Sequence, residues 1–146
     1  MLKTTLFQGG SFNDERGNLR FVNEETPGNY RRFYLITPSG PKTIRAWQGH
    51  KSEEKAFYAI RGSFIIAVVK PACFDNPGDN ELPEIFELTE TNNIFLRVPA
   101  GCYTGIKSET ADATLLVLSN LDLAASKADD YRLPAHKWVN WDSVTK

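Results

Sequence analysis

The stretch IRAWQGHKSEEKAFYAIRGSFIIAVV, residues 44–69, holds the pattern that decides the fold class. Two runs rich in β-branched and aromatic residues, Lys55 to Ile60 and Ser63 to Val69, are separated by Arg61-Gly62, where glycine permits the positive φ of a tight turn. They read as a hairpin. A third run, Thr43 to Trp47, precedes them, and the texture repeats outward in both directions. Leu19 to Asn23, Arg31 to Ile36, Glu84 to Leu88, Asn93 to Val98 and Ala113 to Ser119 are further strand candidates. Breakers at Gly9-Gly10, Gly17, Pro27-Gly28, Pro38-Ser39-Gly40, Pro99-Ala100-Gly101 and Gly105 separate these runs and exclude long helices. Pro71 to Pro83 reads as an exposed loop, and only Leu121 to Asp130, with Asp122 as N-cap, reads as a short helical turn. Many short strands at turn-like spacing imply an all-β sandwich or barrel.

With 146 residues, 17 Lys and Arg against 18 Asp and Glu, the chain reads as one domain, residues 1–146, large enough for a core without staples. A net charge of −1 with both signs interspersed argues against a general nucleic-acid binder. No apolar run approaches the roughly 18 residues of a membrane span, and Met1 to Gln8 lacks a signal-peptide core, so the expected location is the cytoplasm. Cys73 and Cys102 then read as reduced thiols.

The segment after Thr43 to Trp47 is dense in polar groups: Arg45, Gln48, His50, Lys51, Glu53, Glu54 and Lys55 crowd between one strand and the next. Alternation places Gln48 and His50 on one face and Arg45 on the other, unless the chain bulges at Gln48-Gly49. His50 is one of only 2 histidines, and a neutral imidazole titrating near pH 7 is suited to moving protons.

These residues resemble the first motif of cupins, His-x-His-x-x-x-x-Glu-x-x-x-x-x-x-Gly, whose places are held here by Gln48, His50, Lys55 and Gly62. The second cupin motif, Pro-x-Gly-x-x-His, is similar to Pro99-Ala100-Gly101-Cys102-Tyr103-Thr104. Three of the four metal-ligand places are therefore altered, and an ammonium at the Glu place repels a divalent cation. The chain is read as a metal-free cupin: a double-stranded β-helix, or jelly-roll barrel, with no metal and no other cofactor.

Among cupins the resemblance is to the enzymes of dTDP-4-keto-6-deoxy sugars. Asp14-Glu15-Arg16-Gly17 matches the Asp-x-Arg-Gly segment of dTDP-4-dehydrorhamnose 3,5-epimerases, and Val98 to Gly105 resembles their Ile-Pro-x-Gly-Phe-x-His-Gly turn. Arg45 through His50-Lys51, Leu116-Val117-Leu118-Ser119 and Asp130-Tyr131-Arg132 are similar to segments of the dTDP-sugar 3,4-ketoisomerases. Gln48 stands where both groups place a first His, the epimerases' base, and their late catalytic Tyr is replaced within Leu115 to Ser119. His50 aligns with the second His of the ketoisomerase motif, a base in that group.

The resemblance implies a strand-exchanged homodimer and a nucleotide-sugar substrate, with proton transfer next to a ketone. His50 is the expected base, with Gln48 beside it and Tyr34 the first candidate for a second acid, since Arg32-Phe33-Tyr34 resembles the ketoisomerases' Arg-Val-Tyr-Tyr run. Arg16, Arg45 and Lys55 are expected to meet the charge of the substrate, Arg16 from the partner subunit. Tyr103 is a further substrate-side phenol, and Trp47, Phe21 or Phe33 could stack on the base. The alternative is a non-catalytic cupin that binds a sugar nucleotide or small acid. Plainer readings stand beside these: Lys51, Glu53 and Glu54 as a solvated loop, Lys55 as an edge-strand gatekeeper, Arg16-Gly17 as a turn. His136, Trp138 and Trp141 read as a packed tail or dimer surface.

Overall fold

Side-chain alternation sorts the strands into two layers. The computed structural model describes residues 3–23 and 29–145. Its elements begin with β1 (Thr5–Gln8), β2 (Gly10–Asp14), β3 (Gly17–Phe21), β4 (Arg32–Ile36), β5 (Ile44–His50) and β6 (Lys55–Arg61). They continue with β7 (Ser63–Val69), β8 (Glu84–Thr89), β9 (Ile94–Val98), β10 (Cys102–Ser108), β11 (Thr114–Ser119), α1 (Leu123–Lys127) and β12 (Tyr131–Arg132). One antiparallel sheet has the order β1-β9-β6-β11-β4, a second β12-β5-β10-β7-β8, and β2-β3 forms a separate ribbon. The all-β jelly-roll expectation is met.

The two sheets bury a common core, with Phe57, Leu96, Val98, Leu115 and Val117 of the first against Phe64, Ile66, Val68, Leu88 and Ile106 of the second. The second sheet is also covered from outside, where Val139 and Trp141 of the C-terminal segment pack on Trp47, Ala67, Val69 and Tyr103. That double coverage is why Phe64 to Val69 is a continuous apolar run instead of an alternating one.

Several sequence expectations are corrected. β6 and β7 do not form a hairpin: β6 pairs with β9 and β11, and β7 with β8 and β10. Gly62, at φ 72°, instead turns the chain from one layer to the other. β10 was hidden by the glycine reading. Gly105 sits within it because a Cβ there would lie 2.5 Å from the Trp141 ring, so close approach and not a turn requires glycine. β1 and β2, around Gly9, also lay outside the expected strands. The helix is Leu123–Lys127, shorter than read, with the Asp122 carboxylate accepting from the Ala125 N–H as expected of an N-cap. The breaker Pro27-Gly28 lies outside the described residues. No helix among the described residues is long and apolar enough to cross a membrane.

One irregularity positions the site. Along β5, His50 faces Cys102 and Gln48 faces Thr104, but Arg45 faces Ile106, so Ala46 and Trp47 together oppose Gly105. This bulge falls just before the Gln48-Gly49 position read from the sequence. Its extra residue reverses the alternation and brings Arg45 to the same side as Gln48.

Candidate active site

The space between the sheets is apolar through most of its depth and polar at the end where β4 and β5 border it. A cavity of about 310 Å³ opens there, lined by Tyr34, Arg45, Gln48, Lys55, Thr104 and Arg132 among its polar groups and Ile36, Phe57 and Ile106 among its apolar ones. A narrow space beside His50, lined also by Glu53, Val98, Pro99 and Cys102, shares Lys55 and Thr104 with it.

His50 is 4% exposed. Its Nδ1 lies 2.6 Å from the Asp129 carbonyl oxygen. A carbonyl only accepts, so Nδ1 carries the hydrogen and Nε2 the lone pair. Nε2 is buried and has no hydrogen-bond partner. Burial, then the charge of Lys55, pushes the imidazole below its ordinary 6.5, against the opposing pull of the Asp129 carbonyl and Glu53. The ring is a neutral base at pH 7. Glu53 Oε1, 3.2 Å from Nδ1, is placed to support the ring once it gains a proton.

A strap running from the end of β11 through β12 holds this arrangement. The Asp129 carboxylate accepts the backbone N–H groups of Lys51, Ser52 and Glu53, each at 2.8 Å. Burial would raise its pKa, but these three donors outweigh burial and hold it below 3.8. Glu53, 2% exposed, accepts from Ser119, from Ser126 at 2.9 Å and from Arg32 at 3.3 Å. Glu54 forms a buried pair with Arg97. The reading of Glu53 and Glu54 as a solvated loop is thus wrong, because their partners arrive from β4, β9, β11 and α1.

Lys55 is 5% exposed, and its Nζ donates to Gln48 Oε1 at 3.0 Å. The Gln48 amide in turn donates to Asp130 at 3.1 Å. Burial, with Arg32 and Arg132 nearby and Glu53 opposing, lowers the Lys55 pKa from 10.5 to about 8. That shift corresponds to about 3 kcal/mol of penalty on the ammonium, which an anionic oxygen in the cavity would offset. The gatekeeper reading fails because β6 is the middle strand of its sheet. Tyr34 lies under the Arg32 guanidinium, 5.1 Å from the ring centroid, and burial raises its pKa to about 12, so it stays a phenol.

The cavity therefore gathers Tyr34, Arg45, Gln48 and Lys55 of the expected residues, with His50 alongside. It leaves out five. Trp47 is fully buried on the outward side of β5, its indole N–H donating to the Lys137 carbonyl at 2.6 Å, and has no face free for a base. Tyr103 points outward from β10, stacks on Phe74 at 4.6 Å, and donates its hydroxyl to the Phe74 carbonyl. Arg16 lies at the tip of the β2-β3 ribbon, paired with Asp14 and away from the cavity of its own chain. Phe33 and Phe21 also lie outside it. Sequence reasoning missed Asp129 and Glu53 as supports and Arg132 as a lining cation; the Asp130-Tyr131-Arg132 match was the only signal near them.

Of the groups lining the space at His50, the Lys55 ammonium and the Thr104 hydroxyl are donors, and an ammonium there repels a divalent cation. The two donors suit the negative charge that develops on oxygen when a proton leaves a carbon next to a carbonyl.

No protein-family model matches the sequence, and no curated protein matches it. Solved structures do. The chain is similar to a variant of the 3,4-ketoisomerase QdtA from Thermoanaerobacterium thermosaccharolyticum in complex with TDP-4-keto-6-deoxyglucose, at 21% identity over 91% of this chain and 90% of that one, with a TM-score of 0.71. It is similar to the TDP-quinovose 3,4-ketoisomerase WlaRB from Campylobacter jejuni at 25% identity over 86% and 92% of the two chains, with a TM-score of 0.65. The dTDP-4-dehydrorhamnose 3,5-epimerase from Bacillus anthracis, with TDP and PPi bound, matches at 16% identity over 97% and 86%, with a TM-score of 0.79. The chain thus has the jelly-roll fold of the solved sugar-nucleotide ketoisomerases and epimerases.

Proposed function

We propose that this protein is an isomerase of a nucleotide-linked 4-keto-6-deoxy sugar, with His50 removing a proton next to the ketone and no metal taking part. One observation carries the reading: the Asp129 carbonyl holds the hydrogen on Nδ1, so a buried, unpartnered Nε2 lone pair lies beside the Lys55 ammonium. The fold's solved representatives include ones with TDP and with TDP-4-keto-6-deoxyglucose bound, which names the substrate class to try. A single base suits the 3,4-ketoisomerase reaction, in which one group lifts hydrogen from C3 and returns it to C4. Arg45 and Arg132 at the cavity would meet the diphosphate. The non-catalytic reading rests on Gln48, which holds the first-His place and cannot act as a base. Incubating the protein with TDP-4-keto-6-deoxyglucose in deuterium oxide separates the two. Deuterium at C3 of recovered substrate, or at C4 of a 3-keto product, is expected; tight TDP binding with no label would leave a binding protein.

The working form is a homodimer in this proposal. Phe33 and Leu35 on the outward side of edge strand β4 are 69% and 56% exposed, and Phe12 and Leu19 on the β2-β3 ribbon are 57% and 60% exposed. Those are large apolar side chains for a lone subunit to leave in water. Such a dimer would let the ribbon carry Arg16 toward the partner's cavity. Sedimentation is expected to give twice the chain mass, and Phe33→Asp with Leu35→Asp a monomer; a monomeric wild-type chain would end the dimer reading. Free Cys73 and Cys102 accord with the reducing cytoplasm as its place.

A further inference from the structure

Moving a carbonyl from C4 to C3 needs two proton transfers of different kinds. One hydrogen passes from C3 to C4, and a second passes from the hydroxyl on C3 to the oxygen on C4. His50 accounts for the first alone. The second needs a group that both gives and takes a proton near neutral pH. Gln48 and Thr104 do not exchange protons in that range, the Arg45 and Arg132 guanidinium groups keep theirs, and the raised pKa of Tyr34 makes it a donor only.

We infer that Lys55 is that second carrier: a catalytic residue that takes the proton of the C3 hydroxyl and supplies one to the C4 oxygen. The inference rests on the isomerase reading of the site. Three observations support it. Lys55 and Thr104 are the residues common to the open cavity and the narrow space at His50, so Lys55 borders both the base and the substrate volume. Among the described residues Lys55 has no ion-pair partner, and its hydrogen bond is to a neutral amide oxygen, Gln48 Oε1. A buried ammonium with protons to spare and no carboxylate holding them is free to transfer one. Its pKa, lowered to about 8, leaves both protonation states within reach.

The steps balance. His50 Nε2 takes the C3 proton, the C3–H pair forms the C3=C4 bond, and the carbonyl pair moves to O4, which takes a proton from the Lys55 ammonium. The product is an enediol facing an imidazolium and an amine. The amine then takes the proton from O3, the O3 pair forms the new carbonyl, and the C3=C4 pair takes the imidazolium proton at C4. Both side chains end as they began, and no oxidant or reductant is used.

The test is the partition of the intermediate, measured as deuterium washed into C3 of unreacted TDP-4-keto-6-deoxyglucose divided by 3-keto product formed. In Lys55→Gln the base still works, so the ratio is expected to rise by about tenfold or more. Lys55→Arg keeps the positive charge but not the exchangeable proton, and it is expected to raise the ratio as well. A purely electrostatic Lys55 predicts that wash-in and product fall together and that Arg restores both; that result overturns the inference. Should the variants fail to fold, the wild-type protein still decides. The groups facing Lys55 are Arg32 and Tyr34 of β4, Arg45, Gln48 and His50 of β5, Glu53 of the loop, and Asp130 and Arg132 beside β12. His50 titrates below pH 6.5 and Tyr34 at about 12. Between pH 7 and pH 9 the Lys55 ammonium fraction falls about tenfold, and the ratio is expected to rise with it. A flat ratio over that range overturns the proposal. A wild-type protein that gives no wash-in at all sinks the isomerase reading and this inference with it, whereas wash-in with unchanged partition in Lys55→Gln removes Lys55 alone.

Discussion

His50→Asn is expected to cut deuterium incorporation at C3 by about a thousandfold while leaving TDP affinity within about threefold. The asymmetry follows from where the ring sits. His50 lines the narrow space shared with Lys55, whereas Arg45 and Arg132, which are expected to meet the diphosphate, line only the larger cavity. Asn is chosen because its amide can still donate to the Asp129 carbonyl, which keeps that buried acceptor satisfied. The pH dependence has a definite sign. The imidazole must be neutral to accept a proton, and burial and Lys55 lower its pKa, so activity is lost on acidification only below pH 6.5. Wash-in that survives undiminished in His50→Asn would remove His50 from the chemistry. Loss of wash-in together with TDP binding would instead make it a structural residue.

Asp129→Ala is the second large effect. Its carboxylate accepts three backbone N–H groups from the turn that follows His50, and its own carbonyl orients the ring. Each N–H left without an acceptor costs roughly 1–3 kcal/mol where water cannot replace it. Because part of the Lys51 to Glu53 turn is exposed, some hydration is available, and a net loss of about 2–4 kcal/mol is expected. Thermal melting should fall by about 5–15 °C. The variant should also lose activity, since the turn no longer sets the distance between His50 and the strap. Linkage fixes the acid side. A carboxylate held below 3.8 in the folded state contributes its full stabilisation above that value and loses it as pH falls through the folded pKa. Acid unfolding of the wild type should therefore include an Asp129 component that the variant lacks. An Asp129→Ala protein with unchanged melting temperature would show the anchoring account to be wrong.

The candidate site was half legible. His50 and Lys55 stood out because an imidazole and an ammonium among strand ends are rare enough to question one by one. Simple alternation sets Arg45 opposite Gln48 and a bulge reverses that; the bulge occurs at Ala46-Trp47, opposite Gly105, where the Trp141 ring packs. Trp47 as a stacking aromatic and Tyr103 as a phenol are both expected on the substrate side from residue type alone. The C-terminal segment, ninety residues beyond Trp47 but far nearer in sequence to Tyr103, packs on both instead.

What the amino-acid order determined by itself is much of the strand texture, most of the breakers between strands and the N-cap at Asp122. All of these depend on neighbours within a few positions, where side-chain period and backbone permissiveness act directly. What only the tertiary structure decided is which strands pair, which face each polar side chain meets, and what state His50 is in. Asp129 touches the ring from 79 positions away and Ser119 reaches Glu53 from 66. Contacts closed across such lengths leave no local periodicity to read, because they are selected by the fit of the two sheets and the strap as a whole and not by any stretch of chain alone.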